Sequence, residues 1–303
     1  MAGFVRNSDT MAFQSILCAI DFSDHSAQAL RCAAAIADNQ QSPLHFVSVI
    51  DPLLPAAAAV AYDTESLSAE TAVELRAFVA ATLGERPAVS DASIQVAVGQ
   101  AAREILRCAQ TTRADLIVLG THGLGGLRRL LLGSTTHRVL RDSGSAVLAV
   151  PLPGPSDHHP FTRHAPIVVG VSLERTSRAH VDCAVALAQD FQASVVLAHV
   201  VTPIQTGQQW RRRAEDAQPA RRERARAALD ALSAEVGHDL EVRAVVETGE
   251  PASLLTKIAD DEDAGLIVVG LGDPASVGRR PGITAYRVVC ASDLPVLAVP
   301  EAV

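Results

Sequence analysis

The chain has few residues of the kinds that bind nucleic acid or cross a membrane. Aromatic residues make up 3% of its 303 residues, and its net charge is −8. An acidic surface repels phosphate backbones and anionic lipids, and a base-stacking surface needs several aromatic rings. The longest apolar run, residues 52–62, is about half the roughly 20 residues that span a bilayer, and the first fifteen residues carry no apolar signal-peptide core. We therefore expect a soluble, cytoplasmic protein that has neither nucleic acid nor a membrane as its partner.

The common motifs of catalysis are also missing. The sequence contains no Walker A loop, no G-x-S-x-G turn, no H-E-x-x-H helix and no C-x-x-C pair. Lys257 is the single lysine, and it lies on a predicted helix far from the glycine-rich segments. The five cysteines fall on apolar strand or helix faces, which indicates buried thiols in a reducing compartment rather than a redox switch. No His, Cys or paired acidic residues stand at the spacing of metal ligands, so no metal site is predicted.

The main positive feature is an internal repeat. At an offset of 149, the segment Val-Leu-Ala-Val-Pro occurs both at residues 147–151 and at residues 296–300. A period of this length exceeds the roughly 20–50 residues of solenoid repeats, so each copy is a complete domain. We predict one domain at residues 13–152 and a second at residues 166–301, joined by a Pro/His-rich linker at residues 153–165.

Each half alternates short apolar runs with helical patterns. In the first half, the predicted strands are residues 15–21, 44–50, 93–98, 115–120 and 146–150, and the predicted helices are residues 26–40, 66–83, 100–111 and 133–141. Continuous β-branched runs separated by helices indicate parallel strands that are covered on both faces. The predicted fold class is therefore α/β, with two tandem five-stranded parallel doubly wound sandwiches. Such sheets bind ligands beyond the carboxyl ends of their strands.

Polar and glycine residues follow two of these strand ends. Asp21 ends the first strand, residues 120–123 follow the fourth strand, and residues 133–136 open a helix nine residues later. Glycines there let backbone N–H groups approach an anion, and a helix start adds unpaired donors and the positive end of the helix dipole. Ser134 and Thr135 would add hydroxyl donors. Asp21 is either an acceptor for ribose hydroxyls or a helix-capping residue.

This arrangement resembles the ATP-binding signature of the universal stress protein family, in its tandem two-domain form. The signature Gly-x2-Gly-x9-Gly-Ser is present without a gap from Gly120 to Ser134. The resemblance covers about residues 13–152 and 164–301. It implies an adenine nucleotide alpha hydrolase-like, Rossmann-like fold in each half.

The resemblance also implies a role for each residue of the site. Asp21 would hold the ribose, and Val49, at the end of the second strand, would contact adenine. The phosphates of ATP would be held by Gly120, Gly123, Gly133 and Ser134, with Thr121, His122 and Thr135 beside the ligand. Magnesium commonly accompanies a bound triphosphate, so Mg²⁺ is a candidate second ligand, although the sequence shows no dedicated set of metal-binding residues.

The second half departs from the signature. It has Ser172 in place of the ribose-binding aspartate, Asp273 in place of the second signature glycine, and Ile283 in place of the signature serine. A carboxylate about 4 Å from a phosphate charge costs roughly 4 kcal/mol at an effective dielectric constant near 20. We therefore predict that the first half binds nucleotide and that the second does not.

Three functions are compatible with these features. We favour a cytoplasmic stress-response regulator that binds ATP in its first domain and has at most weak ATP hydrolysis. The alternatives are a slow ATPase or adenylate-processing enzyme, and a nucleotide-independent interaction scaffold. In the family the last strands pair between domains, so the two halves are expected to pack as an internal pseudo-dimer. A homodimer of chains is a further family expectation.

Overall fold

The computed structural model describes residues 12–51, 64–84, 93–122, 132–152, 164–173, 178–204, 207, 211–237, 240–271 and 283–300. Contacts along the chain divide it into two compact units, residues 1–157 and 158–303. The predicted ends of the two domains, their linker and their pairing stay predictions.

The first unit is a parallel sheet with helices between successive strands. Its elements are β1 (Ile16–Ala19), α1 (Asp24–Gln40), β2 (Leu44–Ile50), α2 (Thr64–Leu83), β3 (Ile94–Val98), α3 (Ala101–Thr112), β4 (Leu116–Gly120), α4 (Ser134–Asp142) and β5 (Ala146–Val150). The strand order is β3-β2-β1-β4-β5, and every neighbouring pair is parallel. The predicted five-stranded doubly wound α/β fold is therefore confirmed for this half.

The strands of this sheet are buried on both faces, as their continuous apolar sequences predict. Leu17 of β1 and its neighbours Leu116 and Ile117 in β4 have no exposed surface. The chain passes from β1 to β2 on one side and later returns to place β4 on the other side of β1. The chain therefore continues from β1 to β2 on one side and from β4 to β5 on the other side, and such a switch point leaves a crevice at the strands' carboxyl ends.

The second unit repeats this arrangement. Its elements are β6 (Ile167–Gly170), α5 (Ala179–Phe191), β7 (Val195–Val201), α6 (Arg211–Val236), β8 (Val242–Thr248), α7 (Pro251–Asp261), β9 (Leu266–Gly270), α8 (Ile283–Ala291) and β10 (Val296–Val299). Within this unit the order is β8-β7-β6-β9-β10, again with parallel neighbours. Among the residues that the structure describes, no helix is both long and apolar enough to traverse a bilayer.

The cysteines are free thiols. Cys18, Cys32 and Cys108 are buried, as predicted, whereas Cys183 and Cys290 are partly exposed. Burial raises the pKa of the Cys32 thiol to about 12. Burial, reinforced by the neighbouring Cys32, raises the pKa of Cys18 well above its usual range. The three buried thiols are therefore in their protonated, unreactive form near neutral pH.

Candidate functional site

A cavity of about 510 Å³ opens at the carboxyl ends of β1, β2 and β4. Its volume is typical of small-molecule sites, which occupy about 300–1,000 Å³. Seven of the nine predicted site residues line it, namely Asp21, Val49, Gly120, His122, Gly133, Ser134 and Thr135. The fold thus brings together residues from three separate parts of the sequence. Their roles in binding stay predictions.

The other two predicted site residues have different positions. Thr121 is buried, with 3% of its surface exposed, and it is not among the residues that line the cavity. Its amide donates to the carbonyl oxygen of Val150 at 2.9 Å, and its own carbonyl oxygen accepts from the amide of Gly133 at 2.8 Å. Thr121 therefore joins β4, β5 and the start of α4. Gly123 lies outside the described residues.

Asp21 supports the start of α1 without capping that helix itself. The cap is Ser23, whose hydroxyl oxygen accepts from the amide of Ser26 at 3.2 Å. Asp21 Oδ1 accepts from the amide of Ser23 at 3.1 Å and from its hydroxyl at 2.5 Å. The alternative interpretation of Asp21 as the helix cap is therefore wrong, because the cap lies two residues later. Among the described residues Oδ2 has no partner, which leaves this exposed carboxylate able to accept hydrogen bonds from a ligand.

Gly120 is required by packing as well as by any ligand. A Cβ atom at this position would lie 2.6 Å from Cβ of His25 and 3.0 Å from the backbone carbon of the same residue. The carbonyl oxygen of Gly120 accepts from the Thr136 hydroxyl at 2.7 Å. Close packing of α1 on the end of β4 therefore explains this glycine even in the absence of a ligand.

The start of α4 presents hydrogen-bond donors to the cavity. The amide of Gly133 is engaged with Thr121, and the carbonyl oxygen of Gly133 accepts the first helical bond, from His137 at 2.9 Å. The next three amides, those of residues 134–136, have no acceptor within their own helix because they belong to its first turn. Gly133 is the N-cap and has no side chain, and the first turn contains no acidic residue. The positive end of this helix dipole is therefore not neutralised by its own side chains.

Two histidines meet beside the cavity. The ring centroids of His25 and His122 lie 5.3 Å apart, with an angle of 49° between the ring planes. His122 Nδ1 is 3.0 Å from the Thr121 hydroxyl oxygen, while its Nε2 is buried without a hydrogen-bond partner among the described residues. Burial lowers the pKa of His25, and His122 lowers it further, against the opposing effects of Asp21 and Asp24. Within the described part of the chain, no three His, Cys, Asp or Glu side chains are grouped to hold a metal ion.

Sequence reasoning missed His25. The residue lies four positions after Asp21, in the first turn of α1, and its sequence neighbours are polar. The available signal was the switch point, since β1 and β4 are neighbouring parallel strands and the residues after their carboxyl ends start close together.

One wall of the cavity is apolar. It is formed by residues of β1, β2, α3 and β4 and by the residue that follows β1, namely Ala19, Ile20, Val47, Val49, Ala101, Ile105 and Leu119. Val49 is half-buried at the end of β2, opposite Ala97 of β3 in the strand register. A pocket that combines an apolar wall with a few polar groups suits a ligand with one flat apolar end and one charged end.

The second unit lacks several of these features. Ser172 is exposed after β6, and Ile283, at 41% exposure, is the first residue of α8. The helix start that corresponds to α4 therefore carries an aliphatic side chain where the first unit has a hydroxyl. Asp273 lies outside the described residues. The predicted difference in binding between the two halves stays a prediction.

Comparison with known proteins identifies relatives of both halves. The profile of the Universal stress protein family matches residues 12–151 and 164–300. The chain is 26% identical over 297 residues to a universal stress protein of Mycolicibacterium smegmatis, covering 94% of this chain and 96% of that protein. It is 34% identical over 140 residues to a universal stress protein of Thermus aquaticus, covering 46% of this chain and 98% of that protein.

A solved structure shares the fold along nearly the whole chain. The crystal structure of PA1789, a functionally unknown protein from Pseudomonas aeruginosa PAO1, superposes with a TM-score of 0.68 at 20% sequence identity. The match covers 97% of this chain and 95% of that one. At this level of identity the likeness establishes the fold alone.

Proposed function

The chain is a tandem member of the universal stress protein family, and from this premise we propose that its first half binds an adenine nucleotide, with ATP as the ligand. The observation that carries the proposal is the start of α4. Its uncapped first turn lies on the wall of a cavity that also presents a carboxylate and an apolar surface. These three features suit the phosphates, the ribose and the base of one nucleotide.

The phosphate end rests on hydrogen-bond donors and the helix dipole. The free amides at the start of α4, together with the hydroxyls of Ser134 and Thr135, provide donors for phosphate oxygens. His122 lines the same region, and its unpartnered Nε2 is a further donor when that nitrogen carries a proton. A bound anion would satisfy groups that otherwise depend on water.

The nucleoside end rests on Asp21 and Val49. The Asp21 side chain is held by Ser23 through one oxygen, which leaves the other oxygen to accept from ribose hydroxyls. Val49 and Ile105 belong to the apolar wall, where an adenine ring could be buried. These assignments follow the resemblance of the signature, and the lining of the cavity supports them.

We favour a binding protein, with at most weak hydrolysis of ATP. Hydrolysis needs a base that activates water, and His122 is the one candidate base among the described residues that line the phosphate end of the cavity. If Mg²⁺ accompanies the nucleotide, phosphate oxygens and water would supply most of its ligands, as is common for this ion. The bound state would then act as the signal of a stress-response regulator.

The experiment is a titration of the nucleotide-free full chain with ATP, using calorimetry. We expect one site per chain, and we expect both Asp21→Ala and Ser134→Ala to weaken binding by about tenfold, or about 1.4 kcal/mol. Ser172→Ala is the matched control, because Ser172 holds the position of Asp21 in the second half. The proposal fails if ATP does not bind, or if the control weakens binding as much as Asp21→Ala does.

Hydrolysis and assembly need separate measurements. Release of ADP over time from the purified chain would favour the enzyme alternative, provided that Ser134→Ala abolishes it. We also propose a cytoplasmic location and a homodimer of chains. Cell fractionation tests the location. Light scattering of the protein as it elutes from a size-exclusion column tests the homodimer. Neither measurement depends on nucleotide binding.

A further inference from the structure

A second recess, of about 680 Å³, lies between α3 and α4 and shares no lining residue with the nucleotide cavity. We call it the α3–α4 groove. Its lining consists of Gln100, Ala102, Arg103, Leu106, Arg107, Gln110, Arg138, Arg141 and Asp142. It therefore contains four arginines and one aspartate in a chain whose net charge is −8. The groove is therefore locally positive, whereas the chain as a whole is negatively charged.

Two of the four arginines have no ion-pair partner among the described residues. Arg107 pairs with Glu104 at 2.7 Å, and Arg141 pairs with Asp142 at 2.7 Å. Arg103 and Arg138 are exposed and make no such pair, although Arg138 lies close enough to help lower the pKa of Asp142. The groove thus presents two guanidinium groups that are available to an anionic ligand.

The repeat supplies a comparison within the same molecule. Arg287 of α8 corresponds to Arg138, and it lies 3.5 Å from a carboxylate oxygen of Glu250. In the first half, the position of Glu250 is taken by Gln100, which is uncharged. The arginine at this position of the repeat is therefore paired in the second half, as Arg287, and unpaired in the first half, as Arg138.

At other equivalent positions, too, the second half is less positive than the first. Across the repeat, Arg103 corresponds to Ser253, Gln110 to Asp260, and Arg141 to Cys290. The equivalent face of the second half therefore has fewer cations and more carboxylates. Two of the four cations remain in the second half, so it is the excess of positive charge that is specific to the first half.

We propose that the α3–α4 groove is a docking site for an acidic polypeptide segment of a partner protein. Arginine forks bind carboxylates with two parallel hydrogen bonds, which suits Arg103 and Arg138. Gln100 and Gln110 offer amide groups to the peptide backbone. The proposal does not rest on nucleotide binding, because neither arginine lines the nucleotide cavity.

The lining of the groove favours a peptide over a nucleic acid. Ala102 is buried and Leu106 is half-buried, so the recess has apolar surface between its cations. An acidic peptide can place an aliphatic side chain on such a surface and carboxylates beside it. A phosphate backbone gains affinity mainly from many cations and long-range attraction, which an acidic protein with two free arginines does not provide.

The test is the binding of a fluorescein-labelled peptide of about eight residues, rich in glutamate with one central leucine, measured by anisotropy on the full chain. The decisive variant is the double substitution Arg103→Gln and Arg138→Gln. The matched control is Arg287→Gln, the repeat equivalent of Arg138. All these side chains are exposed, and unchanged thermal unfolding would show that the variants fold normally.

We expect the double variant to weaken binding by at least about fivefold and the control by less than about twofold. Raising the salt concentration from about 20 mM to about 300 mM should also weaken the binding of the unmodified chain. The proposal is overturned if the double variant binds the peptide as well as the unmodified chain does. It is equally overturned if the peptide does not bind at about 1 mM, or if a short DNA duplex binds more tightly through the same two arginines.

Discussion

The backbone amide of Gly133 donates a 2.8 Å hydrogen bond to the carbonyl oxygen of Thr121. This bond joins the start of α4 to the residue that follows β4. Thr121 is itself bonded to Val150 of β5, so the helix start is anchored to the sheet. The donors at the phosphate end of the cavity are thereby held in place before any ligand arrives, which reduces the ordering cost of binding.

A negative charge at this helix start should separate stability from binding. We predict that Ser134→Asp increases the free energy of unfolding by about 0.3–1 kcal/mol, because an acidic residue in the first turn complements the helix dipole. The same carboxylate would repel phosphate, so ATP affinity should fall by tenfold or more, which is about 1.4 kcal/mol. Denaturant unfolding and calorimetry measure the two effects on the same protein.

The matched control for this substitution is Ile283→Asp, at the first residue of α8 in the second half. It places the same charge at the equivalent helix start, and we expect no change in ATP affinity. Equal losses of affinity in both variants would show that the effect depends on the overall charge of the chain. ATP binding that survives Ser134→Asp would contradict the assignment of the phosphates to α4.

Gly120→Ala should destabilise the fold. The added Cβ would lie 2.6 Å from Cβ of His25, a distance that requires α1 or β4 to shift. We expect the free energy of unfolding to fall by about 1–3 kcal/mol, as for other overpacked positions. Gly144→Ala is the control, because a Cβ at Gly144 has no neighbour within 4 Å and should change stability by less than about 0.5 kcal/mol. Equal stability of the two variants would refute the packing role of Gly120.

Much of the fold could be predicted from the sequence because its signals are local. The continuous apolar run of β4 and the helical spacing of apolar residues in α3 identify these elements. The repeat shows the same pattern of elements a second time. The predicted end of β1 was less accurate. The strand stops at Ala19 and not at Asp21, and Phe22 takes a left-handed conformation with φ of 64°. Such a turn at a bulky residue leaves no signal in a composition or spacing pattern.

The sequence predicted most of the residues that line the cavity but not their contacts. A glycine at a strand end and a hydroxyl at a helix start pointed to Gly120 and Ser134, and the topology brings both positions to the carboxyl edge of the sheet. The contact of His25 with Gly120 depends on how closely α1 packs on the sheet, which no spacing encodes. The engagement of the Gly133 amide likewise depends on how closely the start of α4 approaches Thr121. Sequence reasoning therefore assigned to ligand binding two glycines that also have structural partners.

Stability should decrease in mildly acidic solution, partly because of His25. Burial lowers its pKa in the folded state below the ordinary value near 6.5, and His122 adds to this effect. Below about pH 6.5 the unfolded chain therefore binds more protons at this residue than the folded chain does, so acid favours unfolding. The loss begins as the pH falls through about 6.5 and levels off below the folded-state pKa of His25.

The variant that tests this is His25→Gln. Its free energy of unfolding should change less between about pH 7.5 and pH 5.5 than that of the unmodified chain. His45 contributes in the same direction, since burial lowers its pKa as well, and His25→Gln combined with His45→Gln should flatten the profile further. A pH profile that His25→Gln leaves unchanged would contradict the assignment.

The cysteines should react with alkylating reagents in an order set by their burial. Reaction requires the thiolate, and burial holds the pKa of Cys32 at about 12 and raises that of Cys18 as well. In the native protein near pH 8 we expect iodoacetamide to modify Cys183 and Cys290 first, because both are partly exposed. Cys18 and Cys32 should be modified at comparable rates only in denaturant. Peptide mapping by mass spectrometry measures each site, and rapid native labelling of Cys18 would show that β1 is less protected than its burial indicates.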